Sequence, residues 1–286
     1  MTVSLFFQNF RHPVVDECMC ILSMLGSRYA FMLLIPVAYW LVNRRKGWIY
    51  ALVFLLSMQV NAFLKEMTQI PRPYQIDENV ALIGDEPYTY AFPSGHAQGS
   101  TMIWGGLAAM TPSFITISGA VFITIAVGIT RLYMGVHSMT DVAIGWIFGF
   151  LSLILMIFLF KLDEKNSKTL RYLPVRIFWS LSAIIIMLIY PAKDTVLTAV
   201  VISAIALLEP LEQHHIGIKD AISFRERFIR FMLGFGVAVI PMAFYMIYRP
   251  ESLWILGVFF FMLGYWVVIG APALFACFHR NGNGDA

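Results

Sequence analysis

Nine stretches of this chain are apolar enough to demand a solvent other than water. They run over about 28–44, 48–64, 97–111, 114–130, 139–160, 175–190, 195–209, 229–248 and 252–277. A helix that crosses a bilayer needs about 20 mostly apolar residues, fewer where flanking side chains snorkel. Two of the nine, 97–111 and 195–209, are short by that measure. A further stretch, 14–26, is amphipathic, with Asp16 and Glu17 at its start and Gly26 at its end. It predicts a helix lying in the interface, or a partial span. Composition agrees: 59% of residues are hydrophobic and 13% charged, against roughly 25% charged in soluble domains. A soluble globule could not hide that much apolar surface, and a chain this apolar cannot stay disordered. The expected fold is therefore all-α, a polytopic transmembrane helical bundle of about nine spans.

Other classes fall away quickly. Cys18, Cys20 and Cys277 are too few and scattered for a disulfide framework or a zinc site. A net charge of +3 gives no footprint for nucleic acid. Residues 1–13 lack a basic segment followed by an apolar one, so no cleaved signal peptide is expected.

The positions of Lys and Arg orient the spans. One set of alternate loops holds Arg44, Arg45 and Lys46, then Lys161, Lys165, Lys168, Arg171 and Arg176, then Lys219, Arg225, Arg227 and Arg230; Arg280 ends the last span on the same side. That is thirteen of the 20 basic residues. The opposite side carries Arg11, Arg28, Lys193 and Arg249, and also Lys65, Arg72 and Arg131. The rich side is assigned to the cytoplasm, which puts the N-terminus outside and requires an odd number of spans. Lys65, Arg72 and Arg131 then need a reason to be where the rule would exclude them.

Three short segments supply that reason. They are Lys65-Glu-Met-Thr-Gln-Ile-Pro-Arg72-Pro73, Pro93-Ser94-Gly95-His96, and Thr130-Arg131-Leu-Tyr-Met-Gly-Val-His137-Ser-Met-Thr-Asp141. All three fall at the outer ends of spans in a topology derived without them. Three cations could surround a tetrahedral dianion, with arginines forking onto pairs of phosphate oxygens. Ser94 and Gly95 open a helix whose N-terminal N–H groups suit an anion, and Gly95 lets an oxyanion approach the backbone closely. His96 and His137 offer a nucleophile and a general acid. Asp141, four residues after His137, shares its helix face and could orient the imidazole. No clustered carboxylates, cysteine or third histidine stand nearby to hold a metal. The set therefore predicts phosphoryl transfer without a metal.

The spacing Lys-x6-Arg-Pro, Pro-Ser-Gly-His, Arg-x5-His-x3-Asp resembles the type 2 phosphatidic acid phosphatases. That superfamily also takes in glucose-6-phosphatases, bacterial prenyl-diphosphate and phosphatidylglycerophosphate phosphatases, and vanadium haloperoxidases. The resemblance covers residues 65–141, a little over a quarter of the chain. It implies that His137 forms a phosphohistidine with Asp141 polarising it. It implies that His96 protonates the leaving alkoxide and then activates water, and that Lys65, Arg72, Ser94, Gly95 and Arg131 bind phosphate. Thr130 departs from the serine that many members have before the third-motif arginine, but it keeps the hydroxyl.

Plainer readings stand beside these. The three cations could be snorkelling to headgroups, and His96 taken alone would more often be a satisfied buried histidine. Asp141 near the top of an apolar helix is costly unless paired or at the water boundary. The methionines read as packing, Cys18 and Cys20 as inert, and His214-His215 as part of a charged loop. Gly145-x3-Gly149 permits close helix approach without identifying a dimer. The loop from Tyr74 to Phe92, with Asp77, Glu78, Asp85, Glu86 and four aromatics, is either a lid that selects headgroups or a plain connector.

Two regions are expected: 1–160 as a phosphatase core, and 161–286 as additional C-terminal helices that could serve dimer contacts, a lipid-access groove or a transport-like role. The expected protein is a multi-pass enzyme of a bacterial inner or plasma membrane. It hydrolyses a lipid phosphate monoester or diphosphate at the extracytoplasmic face without a cofactor. A homodimer is open, and nucleic acid is not a partner. The alternatives are a sugar-phosphate phosphatase, a phosphotransferase or, ranked low, an anion transporter; transporters favour midplane sites and repeats, neither of which is evident here.

Overall fold

The structure is a computed structural model that describes residues 3–166, 173–248 and 252–282. Lys168, Arg171 and Arg249, used above to orient the chain, lie outside the described residues, as do Met1 and Thr2. Every regular element among the described residues is helical. In chain order they are α1 (Val3–Gln8), α2 (Pro13–Met24), α3 (Arg28–Val37, continued by a π turn over Ala38–Val42), α4 (Arg44–Thr68), α5 (Pro73–Ile76), α6 (Gly95–Met110) and α7 (Phe114–Tyr133). They continue with α8 (Met139–Lys165), α9 (Leu173–Ile189), α10 (Lys193–His215), α11 (Phe224–Tyr248), α12 (Leu253–Tyr265, continued by a π turn over Trp266–Gly270) and α13 (Ala271–Gly282).

Each of the nine expected segments is helical, but not all are equally fit to cross. Seven helical stretches are long and apolar enough: Pro13–Val42, Arg44–Ile76, Phe114–Tyr133, Met139–Lys165, Lys193–His215, Phe224–Tyr245 and Leu253–Phe278. The other two expected spans are α6 with 16 residues and α9 with 17. At 1.5 Å per residue α6 rises only about 24 Å, because its first turn is given over to polar chemistry. The 14–26 stretch forms α2, whose 12 residues rise about 18 Å, less than a bilayer core.

The chain divides into two compact units, one of residues 1–34 with 57–158 and one of 35–56 with 159–286. In the first, α6 and α7 form an antiparallel pair, and α1 and α2 lie against α7. Two helix starts here are written as capping boxes. Ser113 and Thr116 exchange hydrogen bonds at the head of α7, with Thr116 N donating to Ser113 Oγ at 3.1 Å. At the head of α8, Asp141 N donates to Ser138 Oγ at 3.2 Å and Ser138 N donates to Asp141 Oδ2 at 2.7 Å.

Glycines set the spacing of α6 and α8. A Cβ on Gly145 would stand 2.6 Å from the Ser94 carbonyl oxygen, and one on Gly149 would stand 2.8 Å from the Gln98 carbonyl oxygen. The Gly145-x3-Gly149 pattern therefore serves a close contact within this unit. Gly135, with φ +71°, turns the chain out of α7 in the left-handed conformation that favours glycine.

In the second unit α10 packs against α9 and α12. Arg176 reaches Glu209 at 2.6 Å, and Arg44 pairs with Glu212, so these charges are matched in pairs. Trp40 and Trp48, both almost fully buried, donate their indole N–H groups to the carbonyls of Val267 and Ile205.

Candidate active site

All eight expected site residues belong to the first unit. Lys65 lies in the last turn of α4, Arg72 between α4 and α5, Ser94 at the cap of α6, and Gly95 and His96 in its first turn. Arg131 lies in the last turn of α7, His137 between α7 and α8, and Asp141 in the first turn of α8. Lys65, Arg72, Ser94, Arg131, His137 and Asp141 are all buried, and His96 is half-buried. A membrane helix buries such groups only when they are held or used.

They are held by backbone. Lys65 Nζ donates to the carbonyl of Tyr90 at 2.6 Å and of Ala91 at 3.1 Å. Arg72 donates to the carbonyls of Thr89 (2.9 Å), Val136 (2.8 Å) and Tyr90 (3.1 Å), and to the Thr89 hydroxyl at 3.3 Å. The two cations thus converge on one carbonyl, that of Tyr90. Arg131 donates to Ser23 Oγ on α2 and lies 3.5 Å from Met134 Sδ; its Nε is buried and without a hydrogen-bond partner.

The histidine geometry is directional. Arg72 Nη1 lies 3.3 Å from His137 Nε2. A guanidinium only donates, so Nε2 accepts and the imidazole proton sits on Nδ1. Nδ1 faces Asp141 Oδ2 at 3.6 Å, beyond hydrogen-bond length. Asp141 also ties the second and third motifs together, because its carbonyl accepts from Ser94 N at 3.0 Å. Burial, reinforced by the charges of Lys65, Arg72 and Arg131, holds the His137 imidazole well below its ordinary pKa, so it is neutral and its Nε2 lone pair is available. His96 feels the charges of Arg131, Lys65 and Arg72 as well. One field covers both rings.

At the head of α6, Ser94 Oγ accepts from Ala97 N at 3.4 Å. A Cβ on Gly95 would stand 3.2 Å from Asn61 Oδ1, so the backbone there is closely backed. Beneath it, Asn61 Nδ2 donates to Gln98 Oε1 at 2.8 Å, and Gln98 Nε2 donates to the Ser57 carbonyl and hydroxyl, both at 2.8 Å. Sequence reasoning missed this network, although Asn61 and Gln98 stand out as amides inside apolar spans. It also missed Ser23, whose polarity is ordinary for its segment, and the carbonyls of 89–91, which no side chain advertises.

The 74–92 loop is tied down at several points. Tyr74 N donates to the Gly135 carbonyl at 3.2 Å, Ile83 N donates to the Met134 carbonyl at 3.2 Å, and Gln8 Nε2 donates to the Ala81 carbonyl at 2.8 Å. Its end supplies the carbonyls that hold Lys65 and Arg72. This loop is part of the site's frame.

Known proteins resemble the stretch that carries these residues. Residues 46–165 match the PAP2 superfamily. Phosphatidylglycerophosphatase B of Bacillus subtilis is 29% identical over 169 residues, covering 54% of this chain and 78% of that protein. A dihydrosphingosine 1-phosphate phosphatase of Schizosaccharomyces pombe is 30% identical over 157 residues, covering 49% of this chain but only 37% of that protein. An undecaprenyl-diphosphatase of Sulfolobus acidocaldarius is 28% identical over 139 residues, covering 47% of this chain and 66% of that protein. The stretch of this multi-pass chain that matches the PAP2 superfamily contains Lys65, Arg72, Ser94, Gly95, His96, Arg131, His137 and Asp141, so all eight expected site residues fall within the PAP2-like domain.

Proposed function

We propose that this protein removes phosphate from a lipid phosphate monoester or diphosphate through a phosphohistidine at His137, on the extracytoplasmic side of the membrane. The observation that carries the reading is the polarity of His137, with Nδ1 towards Asp141 and Nε2 towards Arg72. The lone pair that accepts from Arg72 is the one that attacks phosphorus. A phosphoryl group entering between them takes the Arg72 N–H groups onto oxygen and presents phosphorus to Nε2.

In the first step the Nε2–P bond forms and the bond from phosphorus to the leaving oxygen breaks. His96, which takes up a proton as the bound phosphoryl anion offsets the cations around it, gives that proton to the leaving oxygen. Asp141 stabilises the positive ring that results. Lys65, Arg72, Arg131 and the N–H groups at the head of α6 stabilise the equatorial oxygens; removing one such donor generally costs about 10²–10³ in rate. In the second step His96 takes a proton from water, the water oxygen attacks phosphorus, and the Nε2–P bond breaks to release phosphate.

The lipid substrate class rests on the three relatives, each named for a phosphorylated lipid. The extracytoplasmic placement rests on the asymmetry of Lys and Arg along the sequence. A core within 1–160 would suffice for the chemistry, since the eight residues all fall there.

The test is phosphate release from phosphatidate, phosphatidylglycerophosphate, a prenyl diphosphate, a sphingoid phosphate and glucose-6-phosphate, with chelator present. Release from at least one lipid, with an acid-labile phosphoenzyme that disappears in His137→Ala, is expected. Normal turnover by His137→Ala would overturn the assignment, and release from glucose-6-phosphate alone would overturn the lipid reading. Placement is tested with Tyr88→Cys in a chain whose three native cysteines are replaced by serine. An impermeant thiol reagent should label it from outside intact cells; labelling only after lysis would invert the orientation.

A further inference from the structure

A fourth cation reaches the same field. Arg28 opens α3, and His96 feels its charge along with those of Arg131, Lys65 and Arg72. The chain itself puts it there. A Cβ on Gly26 would stand 3.0 Å from the His96 carbonyl oxygen and 3.5 Å from the His96 Cβ, so the α2–α3 junction lies against the first turn of α6. Helix formation does not account for a cation at this position, since the positive end of the helix dipole disfavours it.

Arg28 has a partner in the 74–92 loop. Its Nη2 donates to the Tyr88 hydroxyl at 2.8 Å, and its guanidinium carbon lies 5.2 Å from the centre of the Tyr88 ring. This contact orients the guanidinium. Both side chains are exposed, whereas Lys65, Arg72 and Arg131 are buried. Arg28 and Tyr88 therefore form a rim to the site on the side of His96.

That side is where the leaving group departs, because His96 protonates the leaving oxygen in the reaction proposed above, on which this inference rests. We propose that Arg28, oriented by Tyr88, is a specificity-determining residue that binds an anionic phosphate carried by the leaving group. Substrates then divide by what they leave behind. A prenyl diphosphate loses its terminal phosphoryl group and leaves a lipid monophosphate, which is anionic. Phosphatidylglycerophosphate leaves a lipid whose phosphodiester is anionic. Phosphatidate leaves a neutral diacylglycerol, and a sphingoid phosphate leaves an amino alcohol whose ammonium group Arg28 repels. The rim favours the first two.

The test compares Arg28→Gln, Arg28→Lys and Tyr88→Phe with the parent full-length protein in mixed micelles of fixed composition. The readout is kcat/KM on a prenyl diphosphate, phosphatidylglycerophosphate and phosphatidate. Arg28→Gln should lose about tenfold on the first two, as for removal of one hydrogen bond to a charged group at an exposed site. Phosphatidate hydrolysis should fall by clearly less than that, and an unchanged melting temperature in detergent serves as the control for folding. Arg28→Lys should recover most of the loss, and Tyr88→Phe should show the same pattern more weakly. Equal loss on all three substrates, or no loss on any, would overturn the proposal. Failure of the parent protein to hydrolyse any of them would instead overturn the reading of the function.

Discussion

Arg131 donates a hydrogen bond to the hydroxyl of Ser23, a buried contact between residues 108 positions apart. Ser23 belongs to α2, outside the stretch that matches the superfamily, yet it fixes one arm of a guanidinium whose Nε is buried and without a hydrogen-bond partner. The N-terminal helices are thus part of the site's support. Two more contacts fasten them: Tyr133 donates to Asp16 of α2, and Gln8 of α1 donates to the Tyr133 carbonyl at 2.9 Å.

Ser23→Ala should leave Arg131 less well aimed. The expected result is a rise in KM and in the inhibition constant for inorganic phosphate of about three- to tenfold, in line with loss of one hydrogen bond to a charged group. The change in kcat should be smaller, and Ser23→Thr should restore phosphate binding. Equal thermal stability of the two variants with unequal phosphate inhibition would separate positioning of Arg131 from general damage.

Asp141 has two jobs that one substitution can divide. Its carboxylate closes the capping box with Ser138 and also faces His137 Nδ1. Asn in its place can still accept from Ser138 N, so the start of α8 should survive and the melting temperature should change by only a few degrees. The charge proposed to stabilise a phosphorylated imidazolium would be gone. Asp141→Asn should therefore lower the rate of phosphoenzyme formation by about 10²–10⁴, the range seen when an orienting carboxylate is lost beside a catalytic histidine. Single-turnover kinetics with a labelled substrate would measure it.

The pH profile follows from the same imidazole. Burial and the charges of Lys65, Arg72 and Arg131 keep the His137 pKa well below the ordinary value near 6.5. If His137 attacks in its neutral form, as proposed, the acid limb of kcat/KM should lie below the ordinary imidazole range. Lys65→Gln removes a cation, so His137 should become easier to protonate and the acid limb should move to higher pH while the plateau falls. The sign for stability is the same. Below about pH 6.5 the unfolded chain binds a proton at this ring that the folded chain refuses, so acidification favours unfolding.

Gly145 offers a prediction about packing. An added methyl group would stand 2.6 Å from the Ser94 carbonyl oxygen, which belongs to a helix cap and cannot yield as a side chain could. Gly145→Ala should cost about 1–3 kcal/mol, as overpacking commonly does, and should lower activity as well because Ser94 heads the site. Gly119, with nothing within 4 Å of an added Cβ, is the control. Thermal denaturation in detergent, followed alongside phosphate release, would test both.

The sequence displayed this architecture unevenly. Nine helices were legible because apolar runs in lipid have few alternatives, and Ser94, Ser113 and Ser138 mark where helices begin. The eight candidate site residues stood out because charge is scarce and costly in such a chain. The carbonyls of Thr89, Tyr90 and Ala91 were not, since a main-chain acceptor carries no side-chain signature. Ser23 was hidden for a related reason: its partner is distant in sequence and serines are common. Gly145-x3-Gly149 announced a close approach, but only the fold identifies α6 as the partner. The 74–92 loop was undecided between lid and connector, and its bonds to Lys65 and Arg72 depend on a chain path that composition does not encode.

Each acceptor around the Arg72 guanidinium is a neutral atom: three carbonyls, one hydroxyl and one imidazole nitrogen. Had carboxylates held it, an arriving phosphate would have had to break an ion pair and compete with another anion for the same N–H groups. Neutral dipoles fix the guanidinium in direction without cancelling its charge. The full attraction is left for the one anion small enough and near enough to replace them, so the same scaffolding that orders this arginine keeps it electrostatically unspent.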